Sequence, residues 1–402
     1  MRIADNLHLT YCSNIHAGES WKEVFDSLKK NIPIIKKSIS SNKSFGIGLR
    51  LSAEAAEILL TENHLAEFKN WLNENDCYVF TMNGFPFGSF HNTIVKDEVY
   101  KPDWTTNLRL EYTLDLINVL AELIAENSEA GISTSPLSYK PWIKDAKQLD
   151  FIIKSSCEHL MKCVEELFVL RQNTGKHIHL DIEPEPSCLL ENSDETVFFF
   201  KNYLIPFGIN YFNRKHAMPE EEAKRIILNH IQVCYDVCHF AVEFEEPSIV
   251  IRKFQEAGIK IGKVQISSAL KVVTNGSANR REIFKRYSTF AESIYLHQTI
   301  AKDVEGTLHD FSDLPLALEQ FDNKKFVEWR THYHVPVFMS AYNELQSTQD
   351  DILRVFEILK ENKFTNHLEV ETYTWEVLPS EERLGMNESI IRELEWVKKM
   401  MC

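Results

Sequence analysis

Nine short β-type runs alternate with amphipathic stretches along almost the whole chain, and this alternation limits the fold more than any other feature. The runs cover residues 8–15, 45–51, 78–83, 131–136, 177–184, 232–239, 260–267, 327–337 and 367–374, with helical patterns between most of them. Strands that alternate with helices pair in parallel through βαβ crossovers. Two architectures satisfy this, a closed (β/α)8 TIM barrel and a long doubly wound sheet. Polarity inside the strands separates them. In 177–183, His177, His179, Asp181 and Glu183 share one face, and Ile178, Leu180 and Ile182 share the other. Gln232, Cys234 and Asp236 oppose Val233, Tyr235 and Val237; Lys263 and Gln265 oppose Val264 and Ile266; Glu369 and Glu371 oppose Leu368 and Val370. Strands of a doubly wound sheet are covered by helices on both faces and read as continuously apolar. A barrel strand meets helices only on its outer face, and its inner face turns polar near the C-terminal rim. The α/β chain is therefore expected to be a (β/α)8 barrel.

Residues 84–106, 187–219 and 268–325 exceed ordinary loop length and each follows a strand, so all three are expected to be insertions over the C-terminal face of one 402-residue domain. An apolar share of 44% with 25 Phe, 13 Tyr and 7 Trp is ample for such a core. The 59 Asp and Glu outnumber the 44 Lys and Arg, for a formal charge of -15. Clustered cations are what phosphate backbones require, so no nucleic-acid partner is expected. No stretch approaches the roughly 18 apolar residues of a membrane span, and the first residues carry no apolar signal core, so a cytoplasmic location is expected. The eight Cys are scattered and read as buried free thiols. The sequence contains no GxxxxGK[ST], GxGxxG, GxSxG or HExxH signature.

Ligand-type residues recur at the C-terminal ends of the late strands: Glu183, Asp236 with His239, Gln265, His332 with His334, and Glu371. Mn²⁺, Mg²⁺, Co²⁺ and Zn²⁺ accept such mixtures of carboxylate, amide oxygen and imidazole, so a divalent metal is the expected cofactor. The alternative is a solvated polar mouth without metal. The early strands supply binding groups: His16 and Asn83 for substrate hydroxyls, and Arg50 to grip an anionic group or to pair with a buried carboxylate such as Glu369. Lys263, one step below Gln265, is expected to assist proton transfer or to pair with a ligand carboxylate. Phe85, Phe87 and Phe90 are candidates for an apolar lid wall or for core.

The strings Asp181-Ile-Glu-Pro184, Asp236-Val-Cys-His239, Val264-Gln-Ile-Ser267 and Leu368-Glu-Val-Glu371 resemble those of the xylose-isomerase-like barrel superfamily. Over nearly the whole chain, Leu9-Thr-Tyr-Cys-Ser-Asn-Ile-His16, Phe45 to Ser52, Thr81 to Gly88, Lys96 to Trp104 and Thr331 to Val337 resemble the EboE family of metabolite traffic proteins. The resemblance implies a metal held by Glu183, Asp236, Gln265 and Glu371, with His239 on substrate or a second metal, and His332 and His334 as additional ligands. Gln265 departs from the superfamily pattern, in which sugar epimerases place His. The implied activity is isomerisation or epimerisation of a small polyhydroxy or hydroxy-carbonyl metabolite, with Glu183 and Glu371 moving the proton. Metal-assisted phosphoester hydrolysis and non-catalytic delivery of a metabolite are the alternatives. Implied partners are that metabolite and other proteins of the same export pathway.

Overall fold

Eight parallel strands form the barrel: Leu7–Tyr11, Phe45–Arg50, Cys77–Asn83, Glu129–Thr134, His177–Ile182, Ile231–Asp236, Ile261–Ile266 and His367–Val370. The computed structural model describes residues 1–88, 96–274, 279–375 and 383–401. The eighth strand pairs with the first, placing Glu369 opposite Thr10. The ring closes between the first two strands through the Cys12–Gly48 bridge. Side chains replace backbone partners at this seam: Thr10 Oγ1 donates to Gly46 O at 2.8 Å and accepts from Gly48 N at 3.0 Å. A Cβ on Gly48 would overlap Glu369 Oε1 and lie 2.6 Å from Tyr11 O, so this close approach of the strands requires glycine.

The helices between strands present apolar stripes to the outer barrel face. Trp21–Ile39 starts at a capping box of Ser20 and Glu23 and buries Trp21, Val24, Leu28, Ile32, Ile35 and Ile39. The outer faces of the strands supply Ile178, Leu180, Ile182, Val233, Val264 and Leu368, all fully buried. Polarity on the inner face runs well below the rim. Lys263 Nζ lies 2.7 Å from Glu369 Oε2 and 3.0 Å from Ser133 Oγ, and His179 Nδ1 lies 2.6 Å from Asp181 Oδ1. Burial alone would lower Lys263, but Glu369, Cys234 and Glu183 carry it above its usual range. A Cβ on Gly262 would overlap Asp181, so the neighbouring strand makes room for the pair with glycine.

Between the seventh and eighth strands the chain builds a second, antiparallel sheet. Its order is Leu308–Phe311, Thr299–Asp303, Phe326–Thr331, Leu270–Val273, Leu345–Ser347 and Ala341–Tyr342. The run 327–337, expected as a barrel strand, belongs here: Phe326–Thr331 pairs antiparallel with Thr299–Asp303 and with Leu270–Val273. Trp329 fills this sheet's own core against Phe311, Phe321 and Phe326. Residues 193–216 form helices that pack against Ala146–Thr174 and Glu220–His230.

The C-terminal helix, Met386–Met401, buries a carboxylate. Glu393 Oε1 accepts from Val337 N at 3.1 Å and Thr372 Oγ1 at 2.8 Å, and burial pushes the group up to about 7 against these hydrogen bonds. The folded state thus holds a proton that the unfolded chain has released. Stability from this group is full below pH 4.5 and is lost as pH rises through about 7. Glu393→Gln is expected to raise stability at about pH 8 by about 1–2 kcal/mol while changing it little at about pH 4.5. Urea denaturation at the two pH values checks this, and a variant that is less stable at the higher pH contradicts it.

Candidate metal centre

The barrel register brings the strand-end carboxylates together. Glu183 directly follows the fifth strand, Asp236 ends the sixth and caps the helix Val237–Val242 by accepting from His239 N, and Glu371 directly follows the eighth. Ligand oxygens of Glu183, Asp236 and Glu371 lie within 4.8 Å of one another, and the three side chains are buried. Glu183 Oε2 and Asp236 Oδ2 have no hydrogen-bond partner among the described residues. Burial pushes Glu183 well up, reinforced by the charges of Glu371 and Asp236; burial and Asp236 push Glu371 well up. Anionic oxygens crowded this way, with the ammonium of Lys263 committed to Glu369, fit a divalent cation.

Gln265 holds Glu371 in place. Its Nε2 donates to Glu371 Oε2, while its Oε1 accepts from the Cys234 thiol. The Tyr373 hydroxyl also donates to Glu371, and Asn83 Nδ2 does so at 3.3 Å. Asn14 Nδ2 in turn donates to Tyr373 Oη at 3.0 Å. Such outer contacts fix the orientation of a ligating carboxylate.

Beside the carboxylates, three imidazoles converge. His239 Nε2 and His334 Nε2 each lie 3.2 Å from His332 Nε2. Their other nitrogens fix the tautomers. His239 Nδ1 lies 2.9 Å from Pro184 O, and His334 Nδ1 lies 3.0 Å from Glu371 O; a carbonyl only accepts, so both Nδ1 atoms carry the hydrogen. His332 Nδ1 faces Gln298 Oε1 at 2.9 Å, and that amide is oriented by its Nε2 donating to Pro186 O at 2.9 Å. Burial lowers His334 to about 4 and holds His332 well below the usual imidazole range, so both rings are neutral near pH 7. The Nε2 atoms of His332 and His334 then meet as two lone pairs, which cannot hydrogen-bond to one another. Ligand atoms of Glu185, His239 and His332 lie within 4.8 Å of one another, and so do those of Asp236, His239 and His334. Asp236 lies beside this triad as well, with His334 Nε2 4.0 Å from its Oδ2.

Both groups open into a cavity of about 130 Å³. Its floor includes Glu183, Glu185, Glu371 and the imidazoles, and its wall is apolar and aromatic, with Phe85, Val99, Tyr100, Tyr295 and Leu296. Phe85 packs with Tyr100 and Leu296, whereas Phe87 packs against Tyr112; Phe90 lies outside the described residues. The segments 96–100 and 295–297 thus reach the rim, while 187–219 contributes no lining residue.

Not every expected site residue is in the mouth. Lys263 sits one layer lower, paired with Glu369 rather than with a ligand carboxylate. Arg50 does not take Glu369; its guanidinium pairs with Glu19 at 2.8 Å and donates to Gly88 O at 2.5 Å. His16 hydrogen-bonds Tyr11 Oη at 2.8 Å and lines a small separate pocket with Arg50. Conversely, Glu185 was not signalled. It accepts from Tyr100 Oη at 2.7 Å, and its Oε2 has no hydrogen-bond partner among the described residues. Glu185 and Tyr373 each lie two residues beyond a strand-end glutamate, so extending the period-2 pattern past the strand would have found both. Gln298 and Tyr100 come from inserted segments and carry no such signal.

Solved structures with this fold include a D-tagatose 3-epimerase-like protein, at a TM-score of 0.50 and 12% identity over 98% of this chain and 97% of that chain. IOLI protein with a bound zinc atom gives a TM-score of 0.48 at 13% identity, over 98% of each chain. A xylose isomerase-like TIM barrel protein from Mycobacterium smegmatis in complex with magnesium gives 0.48 at 10% identity, over 98% of this chain and 96% of that chain. No protein-family model matches the chain, and no curated protein is similar to it in sequence. The likeness to the D-tagatose 3-epimerase-like protein shows the fold alone, a TIM barrel.

Proposed function

We propose that the chain is a divalent-metal-dependent isomerase or epimerase of a small polyhydroxy or hydroxy-carbonyl metabolite, and that it belongs to the EboE group it resembles. The observation that carries this reading is the trio of buried carboxylates, Glu183, Asp236 and Glu371, gathered within 4.8 Å, of which Glu183 and Glu371 line the cavity. They would hold the ion, with Gln265 turning its amide oxygen inward as a further ligand. The ion supplies a Lewis acid for a substrate carbonyl. Glu183 and Glu371 follow strands three places apart round the ring, and burial, with neighbouring carboxylate charge, raises the proton affinity of both, which suits them to take and return a proton. Asn83 and Tyr373 orient Glu371, and the wall of Phe85, Tyr100 and Leu296 excludes water. On this reading the chain acts in the cytoplasm, with other proteins of a metabolite-export pathway as its partners.

A second reading, metal-assisted phosphoester hydrolysis, is favoured by the imidazole triad. His239, His332 and His334 would hold a second ion next to Asp236, and paired ions clamp both oxygens of a displacement at phosphorus. One experiment separates the readings. The Mn²⁺-loaded protein is incubated in deuterated water with ketoses and cyclic hydroxy-ketones, and separately with bis(p-nitrophenyl) phosphate. Carbon-bound deuterium lost in Glu371→Gln, with no nitrophenol release, supports the isomerase. Nitrophenol release that falls at least about a hundredfold in His332→Ala supports the hydrolase. Binding of ketoses without either reaction overturns both and leaves delivery of a metabolite.

A further inference from the structure

The other end of the barrel carries a second cavity, of about 870 Å³, within the size range of ligand sites. Its floor is aromatic. Phe80 lies 5.0 Å from His8 and 5.2 Å from His367 between ring centroids, and Tyr78 packs at 5.5 Å from His8. These side chains plug the N-terminal mouth of the barrel, on the side away from the carboxylate trio. His367 is 2% exposed, and its Nδ1 has no hydrogen-bond partner among the described residues.

The charge around this floor is reversed from that of the whole chain. In a protein of net charge -15, the cavity is lined by Arg2, Lys43 and Lys69 against one carboxylate, Glu129. Glu129 is already engaged, accepting from Asn366 Nδ2 at 2.6 Å and lying 3.3 Å from His177 Nδ1. Lys69 pairs with Glu122 at the surface, whereas Arg2 and Lys43 have no ion-pair partner among the described residues. Burial, and then neighbouring positive charge that includes Arg2 and Lys363, holds His8 down to about 4. The guanidinium of Arg2 and the ammonium of Lys43, which no carboxylate neutralises among the described residues, together with Lys69 on the same cavity lining and an aromatic floor, match an anion attached to a planar organic group.

We propose that this N-terminal cavity is a second binding site, separate from the metal centre, for a small organic phosphate monoester. Arg2, Lys43 and Lys69 take the phosphate, and the floor of His8, Phe80 and His367 takes the organic part. The site stands on its own residues and does not depend on which reaction the metal centre performs.

Calorimetric titration of the full chain with AMP, and with adenosine as the uncharged control, tests this. AMP is expected to bind with a Kd of about 1 mM or lower, and adenosine at least about tenfold more weakly. The Lys43→Glu/Lys69→Glu variant, and the milder Lys43→Ser/Lys69→Ser variant, are expected to weaken AMP at least about tenfold. Glu183→Gln is expected to leave AMP affinity unchanged. Equal affinities for AMP and adenosine, unchanged AMP affinity in both lysine variants, or loss of AMP binding in Glu183→Gln would each overturn the proposal.

Discussion

Lys263→Met is expected to destabilise the fold by about 3–5 kcal/mol, a large part of the roughly 5–15 kcal/mol that holds an ordinary domain together. Both partners of the Lys263–Glu369 pair are fully buried, 2.7 Å apart at the centre of the barrel. Removing the ammonium leaves a carboxylate that water cannot reach. Glu369 Oε1 already lacks a hydrogen-bond partner among the described residues, so its neighbours have little capacity to compensate. The desolvation cost of a buried pair often cancels its attraction, so removing both charges should be far milder. Lys263→Met/Glu369→Leu is accordingly expected to recover most of the loss. Urea denaturation of the three proteins decides the matter, and a single variant within about 1 kcal/mol of the parent chain would contradict this role for the pair.

The second large effect is a change of sign at Glu371. Without metal, burial and then the charge of the neighbouring carboxylates raise the proton affinity of Glu183 and Glu371, so part of that cost is mutual repulsion among Glu183, Asp236 and Glu371. Replacing one of them by a neutral amide relieves that repulsion. In chelator, Glu371→Gln is therefore expected to melt at or above the temperature of the parent chain. With Mn²⁺ at about a hundred to a thousand times its Kd, the parent chain should gain about 3–4 kcal/mol. Glu371→Gln should gain little, and the order of the two proteins inverts. Thermal melts with chelator and with Mn²⁺ check this; a variant that melts below the parent chain in chelator, and by the same margin in Mn²⁺, would show Glu371 to be only a packing element.

The barrel was legible in the sequence because charge burial left a period-2 record. Alternation in 177–183 and 231–236 excluded a sheet covered on both faces, and eight of the nine β-type runs are barrel strands. The ninth, 327–337, carries the same alternation in the inserted sheet. An antiparallel strand with one buried face and a barrel strand with one helix-covered face give the same pattern. At the site, the carboxylate trio was legible because each member ends a strand, and the rim of a barrel is a ring. His332 and His334 stood out by their spacing, but their convergence with His239 depends on how the inserted sheet folds back over the rim. Arg50 and His16 lie apart from the cavity for a local reason. Arg50 ends its strand and pairs with Glu19, and His16, in the first loop, hydrogen-bonds Tyr11, so both side chains face that loop. Gln265 was read as a possible ligand, and its orientation is set by Cys234 and Glu371, a pairing that no spacing rule reveals.

The central claim is that Glu183, Asp236 and Glu371 form a divalent-cation site beside an imidazole triad. Metal analysis of protein purified without chelator tests it most directly. At least one divalent ion per chain is expected, lost in Glu183→Gln and Glu371→Gln; a second ion, lost in His332→Ala, is the result that the hydrolase reading expects. Protein that carries no divalent ion and takes up none from Mn²⁺ or Zn²⁺, or glutamine variants that keep the full complement, would contradict the claim.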